Sequence, residues 1–324
     1  MSDYTLSDIR TAIRLADDTN LKKERLLARL PKSLGEGQEL FPFHLLPPSI
    51  RWNVCRVKLS RGCWDWLGWE LRSDYAEKFR RLAPNKWDGK AEGRVYVIGE
   101  EGVGDEIMVA SCFNELPPCT IECDPRLKGH FERSFPQHVF RERLRDGENR
   151  EGYDWYIPLM DLLPIYRKSP KDCPGTPYLK PDPERVAYWR ETLPVGIFQQ
   201  IHTPTTGIAW ISRHGKQRPF FLPGVSLQYG EHKSPEWLFV PDIDPIADFG
   251  DQINLIAALD RVVSGPMSVV HAAGALGIET HVIMPAFGTG DVHNALHWRY
   301  ECGLPFYNSA KVHRNWIEAR KCVS

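Results

Sequence analysis

Short apolar runs alternate with segments of helical periodicity in two separate stretches of the chain. In the first stretch the pattern predicts strands at 95–98, 120–123 and 153–157 and helices at 105–113 and 125–135. In the second it predicts strands at 207–211, 225–227, 261–263 and 281–284 and helices at 184–191, 252–259 and 268–276. Strands that alternate with helices are typical of parallel sheets covered on both faces. We therefore expect an α/β protein with two doubly wound, Rossmann-like domains that face each other across a cleft.

The N-terminal part carries a different pattern. Apolar residues at helical spacing predict a helix over 8–30, which ends before Pro31, and a second helical segment from Trp64 to Leu82 after a proline-rich loop. Prolines also mark residues 168–183 as a linker. The predicted organisation is a short helical region at 1–90, a first Rossmann-like domain at 91–183 and a second at 184–324.

Composition and charge exclude several classes of protein. The 324 residues carry a formal net charge of −1, and the basic run at 141–145 contains glutamate, as a solvated face does, so we expect no nucleic acid partner. No apolar run reaches the roughly 20 residues that span a bilayer. The eight cysteines show neither a C-x-x-C pair nor zinc-type spacing. Without a secretory signal at the N-terminus, these features predict reduced thiols in a cytoplasmic protein.

A glycine turn at 99–106 joins the apolar run 95–98 to the predicted helix that follows it. A strand, a glycine turn and a helix start bring free backbone N–H groups and the positive end of a helix dipole to one point, which suits an anion. The order is wrong for a dinucleotide fingerprint, because Ile107 stands where the third glycine is required. The acidic pair Asp105 and Glu106 also has an ordinary interpretation as helix capping.

The run 264–277 has the same construction, with a buried strand, a Gly-Pro turn and a helix of small residues. Ser268 at the predicted helix start is placed to direct its hydroxyl and N–H at an anion, and His271 follows on the same face at i, i+3. The competing interpretation is a tight packing face with His271 as a core histidine. The sequence alone leaves both open.

Several ordered motifs together resemble a known family. They are the glycine turn 99–105, Cys123-Asp124-Pro125-Arg126-Leu127, Gly207-Ile208-Ala209-Trp210, Val225-Ser226-Leu227-Gln228, the run 248–277, Trp69-Glu70-Leu71-Arg72 and Trp87-Asp88-Gly89. The set, over roughly residues 60 to 310, resembles the glycosyltransferase domain of bacterial TPR-containing proteins. That domain is similar to the heptosyltransferases of glycosyltransferase family 9 and more distantly to O-GlcNAc transferase. The N-terminal helices would then be a remnant of a TPR region, since no 34-residue repeat is visible.

This resemblance implies a GT-B fold, with a nucleotide-sugar donor held mainly by the second domain and an acceptor, which is a glycan, a protein or a small molecule, held mainly by the first. It implies no metal and no cofactor, because helix N-termini and basic side chains stabilise the leaving diphosphate. Asp105 becomes the candidate catalytic base beside the glycine loop. The implied residues are Gly102, Val103 and Gly104 for that loop and Ser212, Arg213, Lys216, Gln228, Met267, Ser268 and His271 for donor and phosphate binding.

The chain also departs from the pattern of that family. Pro266-Met267 stands where the family carries Asp-Thr, and the segment between Trp210 and Val225 is short. A catalytically degenerate domain that binds a nucleotide-sugar or acts as a scaffold is therefore the alternative. Exposed tryptophans on the N-terminal helices would offer an interface for a homo-oligomer.

Two other patterns resemble metal sites, but we interpret both as structural and not as metal ligands. Asp242-Ile243-Asp244 lies between prolines and is interpreted as a loop. His293 and His297 lack the glutamate of a zincin motif and are interpreted as structural.

Overall fold

The computed structural model describes residues 4–15, 43–71, 85–144, 151–193, 205–212, 215–216, 224–229, 238–284 and 304–323. In these ranges the α-helices are α1 (Leu6–Leu15), α2 (Pro48–Ser60), α3 (Val103–Val109), α4 (Pro125–Ser134), α5 (Leu162–Tyr166), α6 (Pro183–Thr192), α7 (Phe249–Ala257), α8 (Ser268–Leu276) and α9 (Trp316–Val323). The strands are β1 (Val95–Ile98), β2 (Thr120–Cys123), β3 (Val139–Glu142), β4 (Trp155–Pro158), β5 (Thr206–Ala209), β6 (Ile211–Ser212), β7 (Gly215–Lys216), β8 (Gly224–Ser226), β9 (Leu238–Phe239), β10 (Arg261–Ser264), β11 (Glu279–Ile283) and β12 (Ala310–His313). Among the helices of these ranges, none has the length and apolar character needed to cross a membrane.

The first sheet is parallel throughout and has the strand order β3-β2-β1-β4. Val97 in the central strand β1 lies opposite Ile121 of β2 and Ile157 of β4, and all three side chains are buried. The order reverses between β1 and β4, as in the first half of a Rossmann sheet. Ligands of such sheets bind beyond the carboxyl ends of the strands at that reversal.

The second sheet is also parallel and has the order β12-β11-β10-β5-β8-β9. Counted from its own first strand, this is the same doubly wound order, with its reversal between β5 and β10. The fold is therefore an α/β arrangement of two doubly wound sheets, as the sequence predicts. The short strands β6 and β7 form a separate antiparallel hairpin.

The two sheets are joined through helices α3 and α8, which pack against each other. A continuous cluster of buried apolar side chains extends from Val97 in the first sheet through Ile107 and Val270 to Val262 in the second. Helix α6 packs against α7, where Arg185 donates to both carboxylate oxygens of Asp251. The carboxyl ends of β1 and β10 are therefore held at one junction.

The N-terminal region confirms the start of the first predicted helix as α1 (Leu6–Leu15) and differs from the prediction after residue 43. The proline-rich segment contains helix α2, which begins at Pro48, a residue that fits the first turn because it needs no N–H partner there. Residues 64–68 form an irregular segment with positive φ at Trp66 and Gly68, and only a short 3₁₀ helix follows at Trp69–Leu71. The later parts of both predicted helices, 16–30 and 72–82, lie outside the described residues.

The tryptophans at 64, 66, 69 and 87 are buried and Trp52 is partly buried, which corrects the expectation of an exposed aromatic interface. Trp66 contacts both Trp64 and Trp69 edge to face, and the ring of Trp64 stacks on Phe306 with 5.7 Å between centroids. The indole N–H of Trp66 donates to the Arg167 carbonyl at 2.6 Å. The segment belongs to the main core.

Candidate active site

Gly104 packs directly against the first turn of α8, where the two halves of the molecule meet. A β-carbon at position 104 would lie 3.0 Å from Cδ2 of His271 and 3.4 Å from Oγ of Ser268. Both helices follow the central strand of their sheet, α3 after β1 and α8 after β10. The structure thus brings the predicted glycine loop together with Ser268 and His271, and the two helix N-termini converge.

Asp105 lies at this junction on the first turn of α3 and is half-buried. Its Oδ2 accepts a hydrogen bond from the N–H of Gly102 at 3.2 Å, so the carboxylate is held against the glycine turn. The negative charge of Asp105 is also one of the causes that raise the pKa of Tyr307, after burial and the neighbouring Tyr178. The proposed base therefore lies within electrostatic reach of residues from the second half.

The next residue, Glu106, is completely buried under the same turn. Its two carboxylate oxygens accept from the N–H of Asp124 at 3.1 and 2.8 Å, and Nε of Arg143 donates to Oε1 at 2.7 Å. Burial raises the pKa of Glu106 to about 7, against the opposing effect of Arg143. Glu106 joins the starts of α3 and α4 and does not face the junction.

Arg143 is the residue that the sequence interpretation missed. Its Nη2 donates to the carbonyls of Glu100 at 2.9 Å and Glu101 at 2.6 Å, and Glu101 has a φ of +64°. Arg143 thus fixes the backbone of the glycine turn in a conformation that few non-glycine residues adopt. The expectation of a solvated basic face at 141–145 is wrong for Arg143, because the edge strand β3 delivers this side chain to the carboxyl end of the sheet.

The entry to the turn is fixed by Glu122 on β2, which is buried. Its Oε2 accepts from the N–H of Gly99 at 3.1 Å, and its Oε1 accepts from the hydroxyl of Tyr96 at 2.8 Å. A β-carbon at Gly99 would lie 2.9 Å from the Glu122 carbonyl oxygen, so this position requires glycine. The glycine turn is therefore held from both sides before any ligand binds.

His271 is buried between the glycine loop and Tyr307. Its Nδ1 is 2.8 Å from the Tyr307 hydroxyl, and the Tyr307 ring lies so close to Gly274 that a β-carbon there would be 2.3 Å from Cγ. Tyr178 stacks on Tyr307 and donates its hydroxyl to the Ile107 carbonyl at 2.7 Å. Burial raises the pKa of both tyrosines, so each keeps its proton as a hydrogen-bond donor.

The other predicted donor residues are placed as follows. Met267 is the extended N-cap residue of α8, with φ −145°, and Ser268 is partly buried at the first helical position. Oε1 of Gln228, which is buried, accepts from the N–H of Trp210 at 3.0 Å and so connects the ends of β8 and β5. A phosphate contact by any of these residues stays a prediction.

For the remaining predicted residues, the structure describes no side-chain contact with the junction of α3 and α8. Ser212 and Lys216 belong to the hairpin strands β6 and β7, but only their backbone is described, and Arg213 lies outside the described residues, as do His293 and His297. Asp242-Ile243-Asp244 is a loop, as predicted, in which Oδ1 of Asp244 accepts from the N–H groups of Ile246 and Ala247. Val103 begins α3 and packs against the core.

A cavity of about 460 Å³ opens at the opposite edge of the first sheet. Its lining includes Arg94, Thr120, Arg141 and Tyr153, at or near the amino ends of β1, β2 and β4 and on β3. Ligands of doubly wound sheets bind at the carboxyl ends, so the α3–α8 junction is the stronger candidate for the active site.

No protein-family model matches the chain. The chain is 29% identical over 245 residues to protein FlbA of Caulobacter vibrioides, which corresponds to 59% of this chain and 40% of FlbA. The chain thus spans about two fifths of the length of that relative.

Solved structures with a similar arrangement are glycosyltransferases by their descriptions. The ADP-heptose lipopolysaccharide heptosyltransferase II of E. coli aligns with a TM-score of 0.42 and 14% identity, over 68% of this chain and 90% of that one. A glycosyltransferase family 9 protein of Veillonella parvula aligns with a TM-score of 0.45 and 9% identity, over 71% and 88%. The iron-containing dodecameric glycosyltransferase TibC of enterotoxigenic E. coli aligns with a TM-score of 0.37 and 13% identity, over 62% of this chain and 66% of that one.

Proposed function

We propose that the protein is a glycosyltransferase that moves a sugar from a nucleotide-sugar to a hydroxyl group without a metal ion. The observation that carries the proposal is the contact between the first turn of α3, which bears Asp105, and the first turn of α8, which bears Ser268 and His271. A carboxylate and two helix N-termini at one junction supply a base and a site for a diphosphate.

In the proposed reaction, the acceptor hydroxyl lies beside Asp105. The O–H bond breaks as its proton passes to the carboxylate, and the hydroxyl oxygen forms a bond to the anomeric carbon. The bond from that carbon to the diphosphate oxygen breaks, and its electron pair leaves with the nucleoside diphosphate. The backbone N–H groups at the start of α8 stabilise the developing negative charge, because that end of the helix carries the positive end of the dipole.

The surroundings of Asp105 suit this role. Its hydrogen bond to the Gly102 N–H sets the direction of the carboxylate, and Arg143 and Glu122 fix the turn that carries it. A base held in place before the substrate binds loses little freedom in the transition state. In this proposal His271, which Tyr307 holds, contacts the phosphate side of the donor.

One observation favours the second candidate function, a nucleotide-sugar-binding or scaffold protein without catalysis. Met267 contributes no polar group at the start of α8, and its side chain packs against the main core. An apolar side chain at this position offers no hydrogen bond to a phosphate or a ribose hydroxyl, and only the backbone remains for that contact.

A thermal-shift panel on the purified protein tests the proposal. It compares ADP, UDP, GDP and CMP with their common sugar conjugates. A ligand at about 100 times its dissociation constant raises stability by roughly 2.7 kcal/mol. We expect one nucleotide and its sugar conjugate to stand out, and transfer from that donor to be detectable. Binding without transfer to any hydroxyl acceptor would support the nucleotide-sugar-binding function, and no binding at all would contradict glycosyl transfer and favour the scaffold function.

A further inference from the structure

Three potential metal ligands meet at the outer edge of the second sheet. They are His281 on β11, His313 on the edge strand β12 and Cys322 on the last helix, α9, and their ligating atoms all lie within 4.8 Å of one another. The two histidines are buried, and the cysteine is exposed. Two imidazoles and a thiolate are the donor set that zinc(II) prefers in proteins.

This cluster is separate from the candidate active site. His281 and Ile283 lie on the same face of β11, and Ile283 packs with Val263 beneath Ala319 and Val323 of α9. Val262 and Val282 point to the other face, where they join the cluster that contains α8. The three ligands therefore lie between the sheet and α9, behind the junction that holds His271.

A carboxylate already orients one of the rings. Nε2 of His281 is 3.0 Å from Oε1 of Glu279, and its Nδ1 is 2.9 Å from Nε2 of His313. With Nε2 of His281 donating to the carboxylate, its Nδ1 lone pair faces the cluster. A carboxylate that holds the outer N–H of a histidine is the usual second partner of a metal-bound imidazole.

The geometry and charges are compatible with a metal ion. Zinc-to-nitrogen bonds of about 2.0 Å in a tetrahedral site place two ligand atoms roughly 3.3 Å apart, so the rings need to separate by only a few tenths of an ångström. Glu279 and Glu318 bring negative charge to the histidines, against Lys311 and Arg261.

We propose that His281, His313 and Cys322 bind a zinc(II) ion that fastens α9 to the edge of the second sheet. Three protein ligands leave a fourth position for water. When the ion enters, the proton on Nε2 of His313 moves to Nδ1 of the same ring, and the Cys322 thiol loses its proton, so one proton is released per zinc ion bound.

Cobalt(II) is the probe for this site, because a thiolate bound to cobalt gives a charge-transfer absorption. The full chain, without an affinity tag and freed of metal by a chelator, is titrated with cobalt. We expect this absorption to saturate at one equivalent, to vanish in Cys322→Ser and to be displaced by zinc. Cys63→Ser is the matched control, since Cys63 and Cys322 are the exposed cysteines of the described residues. A wild-type chain without the absorption, or Cys322→Ser with it intact, would overturn the proposal.

A second measurement separates ligation from folding. Without metal, Cys322→Ser and the wild type should melt at the same temperature, and zinc should raise the melting temperature of the wild type alone. Glu279→Gln should weaken zinc binding about 10- to 100-fold by removing the partner of His281. Glu184→Gln, an exposed glutamate on α6, should leave the zinc affinity unchanged. Equal zinc affinity in the two glutamine variants would contradict the role of Glu279.

Discussion

Gly104 packs against the His271 ring where the two halves of the molecule meet. The α-carbon of Gly104 faces the Cδ2 edge of the imidazole ring at a distance where a methyl group would come within 3.0 Å. The ring cannot easily turn away, because its Nδ1 is bonded to the Tyr307 hydroxyl. The contact therefore depends on the missing side chain at position 104.

Gly104→Ala should weaken this junction. The added methyl group forces the His271 ring to shift, and overpacking of this kind costs about 1–3 kcal/mol. We expect a lower free energy of unfolding in urea and weaker binding of the donor nucleotide.

The matched control is Gly129→Ala on α4, where nothing lies within 4 Å of the added methyl group. Removing a helix-interior glycine at an open position should raise the free energy of unfolding by about 0.5–1 kcal/mol. If both alanine variants were stabilised equally, the close contact at Gly104 would be disproved.

Asp105→Asn should abolish sugar transfer and leave nucleotide binding nearly unchanged. The amide keeps the shape and can still cap the helix, but it cannot accept the proton of the acceptor hydroxyl. The measurement is the transfer rate together with the dissociation constant of the donor. Asp182→Asn at the N-cap of α6 is the control, because it changes a capping carboxylate outside the junction. Full transfer by Asp105→Asn would reject Asp105 as the base.

Arg143→Gln should destabilise the protein more at high pH than at low pH. The folded-state pKa of Glu106 is about 7, above its ordinary value of 4.5, and loss of Arg143 raises this pKa further. Below pH 4.5 the carboxyl is neutral in both the folded and the unfolded state. As the pH rises, the unfolded state loses the proton first, so the contribution of Glu106 to stability falls.

Urea unfolding at pH 5.5 and pH 8.5 checks this. At the higher pH we expect the free energy of unfolding of Arg143→Gln to be about 1.5–3 kcal/mol below that of the wild type, which is the range for a hydrogen bond to a charged group. At the lower pH the difference should be smaller. Adding Glu106→Gln should remove the difference between the two pH values. The control is Arg141→Gln at an exposed position on β3, whose free energy of unfolding should stay within about 0.5 kcal/mol of the wild-type value. A pH-independent loss in Arg143→Gln would contradict the assignment to Glu106.

Tyr307→Phe should loosen His271 while the core stays packed. The variant keeps the ring against Gly274 but removes the hydroxyl that contacts Nδ1 of His271. We expect the free energy of unfolding to fall by about 0.5–1.5 kcal/mol. Donor binding should weaken, as calorimetry would show. Tyr188→Phe, an exposed tyrosine on α6, should change neither stability nor binding. Unaltered donor binding in Tyr307→Phe would separate His271 from the donor site.

The sequence predicted most elements of the two sheets because these are buried apolar runs bounded by glycine or proline. The bounds of β2 and α8 agree with the prediction residue for residue, whereas α3 is shorter than predicted and continues as a 3₁₀ turn at Ala110–Glu115. The edge strand β3 was missed because only Phe140 of its four residues is buried. Charged side chains on an edge strand are common, and they hide the alternation on which the prediction depends.

The candidate site was predictable where it rests on local chain geometry. Glycines at 99–104 and the start of α8 can be recognised from residues that are neighbours in sequence. The roles of Arg143 and Tyr307 cannot, because each side chain acts on a segment more than 30 residues away. Contacts of this kind are fixed by the fold, and no spacing in the sequence reports them.

The stacking of Trp64 on Phe306 has a practical consequence for dissecting the molecule. Phe306 precedes the tyrosine that holds His271, and the Trp66 indole is bonded to the Arg167 backbone. A shortened version that started at residue 91 would lose Trp64, Trp66, Trp69 and Trp87, expose the apolar surface they cover and leave Phe306 unsupported. Expression trials with such truncations should therefore give aggregated protein, and the smallest piece worth purifying includes the aromatic segment that precedes the first sheet.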